Sequence, residues 1–119
     1  MFEIIFYQDA KGNCEVLSYL DELKQKSQTS KTDRIKRQKI LAYIQALATY
    51  GTSIGLPCLK HLENDLWELR PLSDRIFFFM WKEGKFVLLH HFVKKSQKEP
   101  INEIKKAQKE IKDFTLRNE

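Results

Sequence analysis

The side chains of this chain that are able to act on a phosphate ester stand singly or in pairs. Arg70 and Arg75 flank the segment Pro71-Leu72-Ser73-Asp74, Lys94 and Lys95 are followed by Lys98, His90 and His91 are adjacent, and Lys60 and His61 precede them all. A guanidinium is a planar fork of donors that holds two non-bridging oxygens of a phosphodiester and stabilises charge gained in a transition state. Histidine, titrating near about 6.5, is the natural proton carrier at neutral pH. Each residue also has a plainer use. The arginines can pair with Glu68 or Asp74, the lysines can form a solvated basic surface, and a histidine in an apolar strand is commonly structural. Strand alternation puts Glu68 and Arg70 on one face with Trp67 and Leu69 on the other, and turns His90 and His91 to opposite faces, so that at most one histidine of the pair enters a given site. No phosphate-binding glycine loop, dinucleotide fingerprint, HExxH or paired-carboxylate signature is present, and no cofactor or metal is expected.

The elements that would position these residues follow from hydrophobic periodicity. FEIIFY, from Phe2 to Tyr7, reads as a strand. Asn13 is a candidate cap for a helix running to about Lys26, with Val16, Leu17, Leu20 and Leu23 as its apolar stripe. The polar run KSQTSKT separates it from a second helix over about Asp33 to Tyr50, strongly basic in its first turns and ended by Gly51. Three strands follow, at Leu66 to Arg70, Arg75 to Trp81 and Phe86 to Lys94, joined by separators short enough for hairpins. RIFFFMW and FVLLHHFV are apolar on both alternating faces and belong in the sheet interior, with helices or a partner covering part of both sides. Pro100 suits a first helical position, and Ile101, Ile104, Ala107, Ile111 and Phe114 form one docking stripe on a closing helix. The predicted order is β-α-α-β-β-β-α, an α+β fold in one domain over residues 1–119.

Composition narrows the function classes. The formal charge of +5 arises entirely after Asp74, because the residues up to that point carry 10 Lys and Arg against 10 Asp and Glu, and the remainder carries 11 against 6. An anionic partner approached through the C-terminal elements would give such an imbalance a use, as would a merely soluble basic surface. Cys14 and Cys58 form no CxxC pair and are expected to be reduced. The opening MFEIIFYQDA has no basic n-region, and no window approaches the roughly 20 apolar residues of a membrane span, so a cytoplasmic protein without membrane association is expected.

The ordered combination of WELR at Trp67 to Arg70, then Arg75 with its apolar strand, then FVKKSQKEP from Phe92 to Pro100, resembles the HigB-like branch of the RelE/ParE toxin superfamily, the phage-derived Gp49-like proteins. The resemblance runs from the first strand through the last helix. It implies a compact RelE-like fold and a toxin of a type II toxin-antitoxin system, a ribosome-dependent endoribonuclease that cleaves translated mRNA. The implied partners are the 70S ribosome, mRNA and a HigA-like helix-turn-helix antitoxin, with operator DNA bound through the toxin-antitoxin complex. Carried onto this sequence, it makes Arg70 and Arg75 ligands of the phosphate, Lys94 and Lys95 stabilisers of charge, and Lys60 a backbone contact. His61, His91 and Lys98 join as RNA-binding candidates, and proton transfer falls to His90, His91 or a lysine. In the implied reaction an RNA 2′-hydroxyl attacks the adjacent phosphorus, which needs no metal. The chain departs from many RelE relatives in one respect: its last tyrosine is Tyr50, so the tyrosine near the C-terminus used in that branch has no counterpart. A ParE-like inhibitor of DNA gyrase and a noncatalytic RNA-binding regulator are the competing functions.

Overall fold

In the computed structural model, which describes residues 1–119, strand β1 (Glu3–Phe6) leads into helices α1 (Glu15–Lys26) and α2 (Lys31–Tyr50) and a short 3-10 turn at Gly51–Ile54. Strands β2 (Leu59–Glu63), β3 (Leu66–Leu69), β4 (Asp74–Lys82) and β5 (Lys85–Val93) follow, and helix α3 (Ile101–Arg117) closes the chain. The strands form one sheet in the order β1-β5-β4-β3-β2. β1 runs parallel to β5, and every other pair is antiparallel. The architecture is α+β, as expected.

Both faces of the sheet are covered, which is why β4 and β5 are apolar at nearly every position. On one face Val16, Leu20 and Leu23 of α1 and Ile40 and Leu47 of α2 pack on Leu69, Ile76, Phe78, Phe86 and Leu88. On the other, Ile104, Ala107 and Phe114 of α3 pack on Phe77, Phe79, Val87 and Leu89. Each such fully buried large side chain contributes on the order of 2 kcal/mol. Ile101, expected in the docking stripe, is 58% exposed, because α3 meets the sheet only from Ile104 onward. No helix is long and apolar enough to cross a membrane.

Local chemistry explains the element ends. Ser30 caps α2 by accepting a hydrogen bond from the Asp33 amide at 3.2 Å, so the helix starts at Lys31, before the expected Asp33. Asn13 does not cap α1: its amide donates to Asp9, whose side chain organises the preceding turn, and Cys14 occupies the cap position without a side-chain bond. Gly51 ends α2 at φ 65°, and a Cβ there would lie 2.7 Å from the Phe2 ring, so a side chain is excluded by both conformation and space. Residues expected as loop before the hairpins form the edge strand β2, with Lys60 opposite Glu68 and His61 opposite Trp67.

One irregularity decides where two site candidates point. The pairing Phe77 with His90 and Phe78 with Leu88 leaves Leu89 as an extra residue on β5, a β-bulge. Beyond it the alternation is inverted, so His90 joins the face covered by α3 and His91 joins the face covered by α1 and α2.

Candidate active site

Leu69 of β3 pairs with Ile76 of β4, so Arg70 and Arg75 stand across from each other where the two strands part, on the α3 side of the sheet. α3 does not cover this end. What remains is a cleft of about 410 Å³ lined by Arg70, Arg75, Lys94, Lys95, Ser96 and Gln97, none of them apolar. The Lys94 amide donates to the Ser73 carbonyl at 2.9 Å, which ties the end of β5 to the β3–β4 turn and keeps Lys94 beside the arginines.

The two arginines are held differently. Arg75 Nη1 donates to the carbonyls of Leu72 and Asp74 at 2.7 and 2.9 Å, and its side chain is only 11% exposed. The first of these bonds braces Leu72, a non-glycine residue in the left-handed region at φ 58°. Burial pulls the Arg75 guanidinium below its usual range, Glu68 opposes that shift and Arg70 reinforces it. Arg70 is more open, at 27% exposure. Beneath both lies Glu68, buried to 2%, with Oε1 at 3.5 Å from Arg70 Nε and 3.9 Å from Arg75 Nε. Glu68 Oε2 and both Nε atoms have no hydrogen-bond partner within the chain. Unmet buried polar groups are unfavourable, and three of the five such side-chain atoms in the chain lie at this cleft, the others being Arg37 Nε and Asp74 Oδ2. Four cations above one carboxylate leave the cleft with a net positive field.

The remaining candidates fall outside this cluster to varying degrees. Lys98 flanks an adjoining depression of about 220 Å³ that it shares with Lys94, Lys95 and Glu103. Lys60 is exposed on the edge strand, and its pairing with Glu68 places it on the same face as the arginines. None of the three histidines reaches the cleft. His90 is fully buried, its ring held between Glu110 and Glu103 of α3, the latter at 3.0 Å from Nε2. His91 stacks on Tyr19 at 3.6 Å between ring centroids, with Nε2 2.8 Å from Asp74 Oδ1 on the opposite side of the sheet. His61 packs on Trp67 on that same opposite face, with Nε2 2.6 Å from the Asn64 carbonyl oxygen. His90 and His91 are thus occupied by contacts within the fold, and His61 is an exposed residue of the edge strand.

Behind the cleft sits a buried network that the spacing did not suggest. Asp74 is fully buried; its Oδ1 accepts from Tyr19 at 2.9 Å and faces His91, with Lys36 Nζ at 3.5 Å. Burial would raise the Asp74 pKa, but hydrogen bonds from His91 and Tyr19 and the charge of Lys36 outweigh it and hold the carboxyl below its ordinary value. Tyr19 and Lys36 lie on α1 and α2, far away in sequence, so only the tertiary fold reveals the grouping. Glu68 was within reach of sequence reasoning, since alternation already placed it beside Arg70.

A larger groove of about 570 Å³ runs between α3 and the β1–α1 turn. Its wall mixes Lys105, Lys106 and Lys109 with Asp9, Glu15 and Asp113, so opposite charges largely cancel and no single ligand charge is favoured. No three His, Cys, Asp or Glu side chains gather as metal ligands.

Among known proteins, the family described as phage-derived protein Gp49-like (DUF891) matches residues 18–112, a span that includes every residue of the cleft. No curated protein matches the chain. The matched span covers most of the sequence, and the chain accordingly belongs to the phage-derived Gp49-like proteins, a toxin-like family.

Proposed function

We propose that this protein is the toxin of a type II toxin-antitoxin pair and acts as a ribosome-dependent endoribonuclease on translated mRNA. The observation that carries the reading is the convergence of Arg70, Arg75, Lys94 and Lys95 on one polar cleft. Gyrase inhibition through protein contacts would not require so compact a set of phosphate-directed cations.

In the proposed reaction the RNA 2′-oxygen forms a bond to the adjacent phosphorus and the bond from phosphorus to the 5′-oxygen breaks. The products are a 2′,3′-cyclic phosphate and a 5′-hydroxyl. The 2′-hydroxyl loses its proton and the departing 5′-oxygen gains one. Arg75 and Arg70 hold the non-bridging oxygens, and Lys94 and Lys95 offset the charge that accumulates in the transition state. No histidine or tyrosine lines the cleft. Of the proton-transfer candidates only Lys94 and Lys95 stand within the cleft, and the proposal shares proton movement between them and groups of the ribosome–mRNA complex. Lys98 and Lys60, at the margins, serve as contacts to neighbouring phosphates.

The proposed setting is cytoplasmic. An antitoxin, HigA-like with a helix-turn-helix fold, would hold the toxin inactive and carry the complex to operator DNA. Primer extension on a defined mRNA, with purified folded protein in the presence and absence of 70S ribosomes, tests the central activity. New 5′ ends only with ribosomes are the expected result. No cleavage under either condition would overturn the nuclease reading, and cleavage of free RNA alone would overturn ribosome dependence.

A further inference from the structure

Two guanidinium groups directly across a strand pair repel each other, and a site that uses both needs something to hold them together. Glu68 is the only carboxylate that meets both Arg70 and Arg75. It meets each of them at the Nε edge, at 3.5 Å for Arg70 and 3.9 Å for Arg75, so the outer nitrogens are the ones left for a ligand. On Arg75 the Nη1 group is already taken by the Leu72 and Asp74 carbonyls, which leaves Nη2. Arg70 has no backbone tether of that kind, and Glu68 is its only ionic partner. With 2% exposure, Glu68 is too enclosed to reach a 2′-hydroxyl as a base.

We propose that Glu68 is a positioning residue, which holds the Arg70–Arg75 pair by its inner edges and so aims the outer nitrogens at one phosphodiester. The dependence is greater for Arg70 than for Arg75. This rests on reading the cleft as an RNA-cleaving site, but the positioning itself can be observed without any cleavage.

The test is Glu68→Gln, which keeps the size of the side chain and removes its charge, followed in two ways. In ¹⁵N-edited spectra of the folded full chain, the Arg70 Nε–H resonance of the wild type should be resolved and slow to exchange with water. In Glu68→Gln it should exchange at least tenfold faster, while the buried Arg75 Nε–H resonance persists because two backbone bonds at Nη1 still hold that side chain in place. Glu68→Asp, which retains the charge with a shorter reach, should lie between the two, and it serves as the charged comparison should the glutamine variant not fold. On ribosomes, the maximal cleavage rate of Glu68→Gln should fall at least tenfold with an unchanged apparent affinity for the ribosome. Unaltered Arg70 exchange in Glu68→Gln would overturn the proposal, as would a cleavage loss fully explained by a smaller folded fraction. If the wild type cleaves nothing, the nuclease reading fails, and the exchange measurement still decides whether Glu68 orients the pair.

Discussion

Asp74 and Arg75 are adjacent on one strand, and through alternation each opens onto a different side of the sheet. Behind it, Asp74 is fully buried and surrounded by Tyr19, His91 and Lys36, each directed at the same carboxylate oxygen. In front, Arg75 shares a cleft with three other cations and has a single carboxylate beneath it. In the rear cluster three donors of the chain itself converge on Oδ1 of the one carboxylate, with Oδ2 left without a partner, and its obvious product is stability. The front cluster has more cations than its own chain can satisfy. That imbalance, rather than the presence of charged residues as such, separates a site that holds the fold together from one built for an external anion.

Substitutions on the two sides should therefore separate activity from stability. The largest effect is expected for Arg75→Ala, with cleavage at saturating ribosomes slower by about 10² to 10³-fold, the range for loss of one donor to developing charge. Its melting curve should show a loss of only about 1 to 2 kcal/mol, from the two backbone hydrogen bonds. Asp74→Ala should do the reverse. Denaturant titration should show a loss of about 3 kcal/mol, since Tyr19, His91 and Lys36 lose a common buried partner, while the folded fraction retains RNA binding.

The acid limb of stability sharpens the contrast. The folded Asp74 carboxyl titrates below its ordinary value of 3.8, so its contribution is fully present above that pH and is lost as pH falls through the lower, folded value. In urea titrations below pH 3.8, Asp74→Asn should therefore show a shallower pH dependence than the wild type. A smaller effect is expected for Lys95→Ala, an exposed member of the front cluster. The slope of log affinity for single-stranded RNA against log salt should fall by about 1, with little change in stability. The smallest belongs to His61→Ala. With its ring on the rear face against Trp67, cleavage should remain within about 2-fold of wild type in the same ribosome assay, as for a surface change away from the site.

Periodicity made most of the fold legible. Two-sided apolar strands required covering layers on both faces, and α1, α2 and α3 supply them. The edge strand β2 escaped notice because Lys60, His61 and Glu63 give it a polar pattern, and its pairing partner supplies what its own residues do not signal. The arginine pair and the two lysines could be found because a short turn and a strand end bring them together within about 30 residues of chain. The histidines illustrate what alternation alone leaves open. His90 and His91 do face opposite sides, but the bulge at Leu89 exchanges those sides, and an inserted residue of that kind has no signature in an unbroken apolar run. The Asp74 network was beyond reach because it joins α1, α2, β4 and β5 through single polar contacts.

The most direct test of the account is a paired determination on Arg75→Ala and wild type: the single-turnover rate of mRNA cleavage at saturating ribosomes, and the dissociation constant for the same programmed ribosomes. A cluster that stabilises the transition state predicts a rate loss of about 10²-fold or more with binding within a few-fold of wild type. Equal losses in rate and affinity, or an unchanged rate at saturation, would contradict it and reduce the cleft to a docking surface.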